Sequence, residues 1–266
     1  MLPDVAVERP ETVGDAVALL DDEHVPLGGG TELLLAMSLG LLRPQALVDL
    51  SKLAELHRLD VDGDELVIGA GVSHRSVHRS TIVRDRLPLL ARVEEAVGNA
   101  RVRAQGSIGG NLCFAEPKSD VATVLIALGA SVVLAGPDGR RRITLDSFID
   151  GPYMTVRGGS EVLVEVRVPL RALRGCYRKF QTMERPTVGV AAVVDGDRAR
   201  VAVGAVGPVP VWRDFDSVDA IDVDAVLADV KPLEDIAGAA DYKRHVTELY
   251  VRRVVAELAE RAGEQS

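Results

Sequence analysis

The chain has 266 residues and a formal net charge of −9 at pH 7, which is length enough for one large domain or two modest ones and the wrong sign for a general polyanion-binding surface. Its only cysteines, Cys113 and Cys176, are too few to ligate an iron–sulfur cluster and give no basis for a disulfide scaffold. Nucleic acid is therefore not an expected partner, and the cytoplasm is the expected compartment. The opening "MLPDVAVERP" has neither the positive leader nor the apolar core of a secretion signal, and the longest weakly polar run, Val121 to Gly136, is short for a membrane span. No span is expected.

In chain order, "TVGDAVALL" predicts a helix with Thr12 as N-cap, Asp15 serving the first-turn amides, and Val13, Val17 and Leu20 on one face. "VPLGGGTELLLAM" reads as a short strand, a glycine turn and a helix. "ALVDL" is a second short apolar segment, and "HRLDVDGDELVIGAG" has the pattern of a hairpin turning at Asp62-Gly63. "PLLARVEEAVGN" predicts a helix ending near Gly98-Asn99, and "SDVATVLIALG" another, started by Ser119 or Asp120. Residues 131–145 read as a second hairpin, "DSFID" as a turn of helix, and "EVLVEVRVP" as a strand stopped before Pro169. A boundary is expected near residues 170–176. Beyond it, "YRKF", "VGVAAVV" and "RVAVGAVG" predict strands, followed by helical patterns at 216–228 and 239–259. The whole is an α+β organisation ending in a smaller α+β domain.

Two glycine segments stand out. Gly28, Gly29 and Gly30 lie between an apolar entry and a helix, and "GSIGGN" places Ser107, Ile108, Gly109, Gly110 and Asn111 before another. Glycine permits close backbone approach and positive φ, so amides in such segments can meet an anionic phosphate; a plain tight turn is the other reading of each. Neither segment is a GxGxxG, and no GxxxxGK[ST] occurs, which places Rossmann dehydrogenases and P-loop ATPases low. Two separated segments can instead converge on one pyrophosphate, with Thr31, Ser107 and Asn111 adding hydrogen bonds. Glu32 is awkward there. Its side chain must turn away, pair with a cation or accept a ribose hydroxyl.

The series "PLGGGTELLLAMSLGLLRP", "GSIGGNLCFAEPKSDVATVLIALGA", "FIDGPYMTVRGGSEVLVEVRVP", "YRKFQTMERPTVGVAAVV" and "ADYKRHVTELYVRRVV" closely resembles, in order and over nearly the whole chain, the FAD-binding or medium subunit of molybdenum hydroxylases of the xanthine dehydrogenase and carbon monoxide dehydrogenase type. The resemblance implies a two-subdomain FAD-binding region of the PCMH type over residues 1–172, with subdomains at about 1–55 and 56–172, and a C-terminal flavoprotein domain over 173–266. It implies a first pyrophosphate segment at Gly28, Gly29, Gly30, Thr31 and Glu32 and a second at Ser107, Ile108, Gly109, Gly110 and Asn111. It further assigns Asp120 to ribityl or nearby flavin contacts, Leu163 to packing by the isoalloxazine, and Lys179 to the cofactor from the C-terminal domain. Without it, Asp120 is a helix-capping acid, Leu163 strand core and Lys179 surface charge.

As function, the resemblance implies FAD-dependent electron transfer: substrate hydroxylated at molybdopterin in a large subunit, electrons crossing two [2Fe–2S] clusters of a small subunit, and FAD handing them to an external acceptor. No catalytic side chain and no metal ligand are expected of this chain. Alternatives are a stand-alone FAD-dependent oxidoreductase acting on a small molecule and a structural or assembly subunit that has lost FAD. Elsewhere, His74 and His78 in "SHRSVHRS" are expected to be solvated or capping, Cys113 and Cys176 to pack, Glu94-Glu95 to lie on a solvated helix face, and residues 240–258 to form an amphipathic helix.

Overall fold

The computed structural model describes residues 4–171 and 174–263. Among the described residues three larger sheets succeed one another along the chain, with a two-stranded ribbon set within the second region. The first is built from β1 (Ala6–Glu8), α1 (Val13–Leu19), β2 (His24–Leu27), α2 (Leu33–Ser38) and β3 (Ala46–Asp49), whose strands run parallel in the order β1-β3-β2. Parallel neighbours need crossovers, and α1 and α2 supply them. Thr12 caps α1 as expected: its Oγ1 accepts from the Asp15 amide at 3.1 Å while the Asp15 carboxylate accepts from the Thr12 amide at 2.9 Å.

The second region opens with β4 (Leu59–Asp62) and β5 (Glu65–Gly69), joined through Gly63 at φ +63°, the predicted hairpin. A run of short helices follows: α3 (His74–Arg79), α4 (Thr81–Arg86), α5 (Pro88–Glu95), α6 (Ala100–Gln105), α7 (Ile108–Phe114) and α8 (Asp120–Ala127). Then come the hairpin β6 (Ser131–Gly136) and β7 (Gly139–Thr144), α9 (Leu145–Phe148), the small ribbon β8 (Ile149–Gly151) and β9 (Met154–Thr155), and β10 (Val162–Pro169). The sheet is antiparallel throughout, in the order β4-β5-β10-β6-β7.

Three expectations shift here. Asn99 does not end α5, which stops at Glu95; it starts α6, its side-chain oxygen accepting from the amides of Arg101 at 2.9 Å and Val102 at 3.0 Å. Strand β10 includes Pro169, paired with Glu65 at the strand's last position, where a missing amide does not interrupt the ladder. The second glycine segment is not a loop beyond Ser107. Ser107 N-caps α7, and Ile108 to Asn111 form its first turn.

The third region is an antiparallel meander of β11 (Arg174–Phe180), β12 (Val188–Asp195), β13 (Arg198–Gly204) and β14 (Val211–Phe215), followed by α10 (Val223–Asp229) and α11 (Ala240–Gly263). Alternation along β12 sorts its side chains: Ala191 and Val193 join the core around α5 and α8, while Val190, Ala192 and Val194 join the core under α11. With both faces covered, "VGVAAVV" is apolar almost throughout. Helix α8 lies so close to β13 that a Cβ on Gly204 would fall 2.0 Å from Thr123 Oγ1, and this contact sets the first residue of α8 beside β11. Strand β14, with polar Arg213 and Asp214 in a short edge segment, is not apparent in the apolar pattern; the helix predicted from 216 begins only at Val223, because Asp222 caps it.

Candidate functional site

The glycine segments meet. A Cβ on Gly29 would lie 1.9 Å from the carbonyl oxygen of Gln105, and one on Gly28 would lie 3.2 Å from Ser107 Oγ. Gly30 has φ +71°, a left-handed turn that an L side chain resists. Around this meeting lie two cavities, of about 730 Å³ and 470 Å³. They share Pro26, Gly28, Gly29, Ser107, Gly110, Cys113 and Arg157, so the cleft has two lobes joined at a glycine-lined waist.

The larger lobe is polar at its far end. Asp120, the first residue of α8, accepts a hydrogen bond from the Tyr177 hydroxyl on one carboxylate oxygen and from the Lys179 ammonium at 2.7 Å on the other. Tyr177 and Lys179 are alternate residues of β11 and thus share a face. Burial, then the neighbouring Asp120 carboxylate, holds the Tyr177 hydroxyl well above its ordinary pKa, so it is a donor at neutral pH. At the rim, Arg185 in the β11–β12 turn donates to Glu116 and, at 3.0 Å, to Glu32; the Tyr153 hydroxyl also donates to Glu116, at 3.0 Å. Glu32 thus pairs with a cation, one of the three options its position leaves it. Lys118, on the same wall, pairs with Asp235 at 2.8 Å.

The smaller lobe is mostly apolar, with Leu50, Leu56, Leu59, Val162 and Leu163 on its walls. Gly30, Thr31, Glu32, Asn111, Asp120 and Lys179 line the larger lobe, and Gly109 and Leu163 the smaller. Leu163 is therefore not grouped with Asp120 and Lys179; it lies across the waist from them. Ile108 lines neither lobe. It is fully buried, and its amide donates to Val72 O at 3.0 Å. Gly109 donates to Ala70 O at 2.8 Å, and a Cβ there would fall 2.5 Å from Ala70 Cβ. The Gly110 amide is taken by Ser107 Oγ at 3.1 Å and the Asn111 amide by Ser107 O at 2.9 Å. The amides of Ile108 to Asn111 are thus committed to the protein, and Gly109 lets α7 pack onto β5 and its end.

His74 is not solvated. It is 2% exposed, its Nδ1 lies 2.6 Å from a carboxylate oxygen of Glu94, and Glu94, 0% exposed, faces inward where a solvated position was expected. Glu94 is drawn inward because α5 packs against α3, which brings position 94 over His74; Glu95 stays exposed. Sequence reasoning did not single out Tyr177, Arg157 or Arg185. The alternation in "YRKF" was a usable signal for Tyr177, since it joins Lys179 on one face; nothing local marks the two arginines. No group of three or more His, Cys, Asp or Glu side chains suited to a metal occurs among the described residues.

Two cavities that meet at a glycine-lined waist, one mostly apolar and the other holding an acid–cation pair, make this cleft the candidate site. The family described as "FAD binding domain in molybdopterin dehydrogenase" matches residues 3–171, and the chain belongs to it. It is 34% identical to the carbon monoxide dehydrogenase medium chain of Hydrogenophaga pseudoflava, over 95% of this chain and 96% of that one. It is 27% identical to the nicotine 6-hydroxylase medium subunit of Paenarthrobacter nicotinovorans, over 98% and 99%. The solved quinoline 2-oxidoreductase from Pseudomonas putida 86 superposes with a TM-score of 0.90 at 26% identity, covering 98% of this chain and 99% of that one. The protein is an FAD-binding oxidoreductase subunit of the molybdenum hydroxylase class. No helix among the described residues is long and apolar enough to cross a membrane.

The space a Cβ at Gly29 would need is already filled by the Gln105 backbone, so at this point of the waist the two segments meet backbone to backbone, and a side chain at position 29 would force them apart.

Proposed function

We propose that the chain is the electron outlet of a three-component molybdenum hydroxylase. A large molybdopterin-binding subunit oxidises the substrate, a small subunit with two [2Fe–2S] clusters relays electrons, and this chain delivers them to an external acceptor. Bound FAD supplies a carrier able to take single electrons and release one or two.

The observation that carries the reading is the division of the cleft. The amides of Gly29, Gly30 and Thr31 have no acceptor among the described residues and suit the diphosphate. The lobe with Asp120 and Lys179 suits the isoalloxazine, because an ammonium favours the negative charge of reduced flavin and Tyr177 keeps the carboxylate oriented. The apolar lobe with Leu163 suits the packing of a flat ring system of the cofactor against that side chain. Ser107, Ile108, Gly109, Gly110 and Asn111 then act through shape, letting α7 close the waist. Glu32, held by Arg185, stays off the phosphates. The same reading divides the chain into an FAD-binding region over 1–172, with subdomains at about 1–55 and 56–172, and a C-terminal domain over 173–266 that brings Lys179 to the cleft.

The test is to purify the chain from cells that also express candidate large and small subunits of the same class from the same source. The expected outcome is stoichiometric FAD, identified by mass after release, and copurifying molybdenum and iron. Folded chain that takes up no FAD on reconstitution overturns the proposal. Turnover of a small molecule by the chain alone replaces it with a stand-alone oxidoreductase.

A further inference from the structure

The waist carries a charge that the glycine segments do not explain. Of the residues common to both lobes, Arg157 alone is charged. Its Nη1 is held by three carbonyls, those of Gly158 at 3.0 Å, Gly159 at 3.3 Å and Glu161 at 2.7 Å. Carbonyl contacts orient a guanidinium without neutralising it. The other cations that line the larger lobe are each matched to carboxylates: Lys179 to Asp120, Lys118 to Asp235, and Arg185 to Glu32 and Glu116. Glu161, the nearest acid in sequence, is ion-paired with Arg141, and Arg157 acts on it only as a neighbouring charge beyond ion-pair distance. Among the described residues Arg157 has no carboxylate within ion-pair distance, although the chain carries a net charge of −9.

A half-buried guanidinium without a carboxylate partner is costly unless a bound anion completes it. Its field reaches the waist itself, since its charge partly offsets the effect of burial on the Cys113 thiol there. Ile108, Gly109, Gly110 and Asn111 have spent their amides on the protein, so the first segment's amides are neutral donors and Arg157 is the one full positive charge at the waist that no carboxylate matches among the described residues.

We propose that Arg157 is the counter-cation of the cofactor diphosphate, anchored through Nη1 and presenting the rest of its guanidinium to the phosphate oxygens. This rests on the reading of the cleft as the FAD site. A planar fork with one edge fixed and the other free is suited to phosphate, and a lysine at this position would keep the charge but lose the anchor.

The test is FAD titration of apo full-length chain by flavin fluorescence quenching, for wild type, Arg157→Gln and Arg157→Lys, at several salt concentrations. Arg157→Gln is expected to weaken FAD about ten- to hundredfold, with Arg157→Lys between it and wild type. Affinity of the wild type should fall with salt more steeply than that of Arg157→Gln, a difference that loss of packing alone does not produce. Melting temperatures of the apo proteins should agree within a few degrees. Equal affinity and equal salt dependence for wild type and Arg157→Gln overturn the role of Arg157 and leave the cleft reading standing. Weaker binding with unchanged salt dependence and a lowered apo melting temperature overturns it in favour of a structural role. Wild-type chain that is folded and binds no FAD overturns both.

Discussion

Gly29 packs so tightly on Gln105 that a Cβ at position 29 would lie 1.9 Å from the Gln105 carbonyl oxygen. This contact joins the parallel β1–β3 region to the end of α6 at the point where the two lobes meet. Gly29→Ala must push two backbone segments apart, whereas Gly28→Ala meets only the Ser107 hydroxyl, at 3.2 Å. Gly29→Ala is expected to cost about 1–3 kcal/mol of stability, as overpacking does, and to weaken FAD by at least tenfold. Gly28→Ala should cost less on both counts. Thermal melts and flavin titration of the pair check this; equal effects would mean that the waist is not set by the Gly29–Gln105 contact.

Tyr177 and Asp120 give a pH dependence with a defined sign. The folded hydroxyl titrates well above its ordinary value, through burial first and the Asp120 carboxylate second. An acid whose pKa is raised by folding contributes stability that is whole below the unfolded value, about 10, and is lost as pH rises through the folded value. Wild type should therefore lose more melting temperature between pH 9 and 11 than Tyr177→Phe does. At pH 7 the variant, which leaves one Asp120 oxygen without its donor, should be less stable by about 1–2 kcal/mol. A pH 9–11 melting curve that Tyr177→Phe leaves unchanged would show that the hydroxyl is not held in this way.

What the sequence made legible was what short-range chemistry decides. The Thr12–Asp15 cap, the turn at Gly63 and the two-sided apolar strand around Ala191 each depend on a few neighbouring residues. The glycine segments were legible as special, but the reason differed between them. Gly30 needs its positive φ, while Gly109 is helical and is small because Ala70 lies against it. That second fact belongs to packing between elements far apart in sequence. So do the inward turn of Glu94 toward His74, the pairing of Arg185 with Glu32 across 153 positions, and the division of Leu163 from Lys179 between two lobes. The boundary expected at residues 170–176 falls partly on residues 172–173, outside the described residues.

Asp235 ties the cleft wall to the last helix. It accepts from Lys118 at 2.8 Å and from the fully buried Lys243 of α11 at 2.7 Å. Burial alone would raise its carboxyl; hydrogen bonds from the two ammonium groups outweigh that and hold it well below the usual carboxylate range. A depressed folded pKa contributes stability that is present above the unfolded value, about 3.9, and is lost as pH falls through the folded value. Asp235→Asn removes the carboxylate that Lys118 and Lys243 share and leaves the buried Lys243 ammonium with neutral acceptors, among them the Leu233 carbonyl at 2.7 Å, and is expected to cost about 2–3 kcal/mol at pH 7, discounted for the partial exposure of Asp235. The gap between wild type and variant should narrow steadily below pH 4. A constant gap in acid melts would assign the loss to packing and not to charge.

Cys113 offers a probe of the waist that does not depend on turnover. It lines both lobes, and burial pushes its thiol up to about 11, with Arg157 pulling slightly the other way. The reactive thiolate is then scarce at neutral pH, so alkylation by iodoacetamide at pH 8 should run on the order of a hundredfold slower than for a free thiol of pKa about 8.5. The rate should climb about tenfold per pH unit toward 11. Cys176, 2% exposed with its sulfur directed at the Val254 carbonyl 3.6 Å away, should label more slowly still. Saturating FAD is expected to suppress labelling of Cys113 without changing that of Cys176, because only Cys113 faces the cleft at the waist. Mass spectrometry of the two cysteine peptides measures both rates in one sample. Rapid labelling with a midpoint near 8.5, or protection of both cysteines alike, would place Cys113 outside the path of the cofactor.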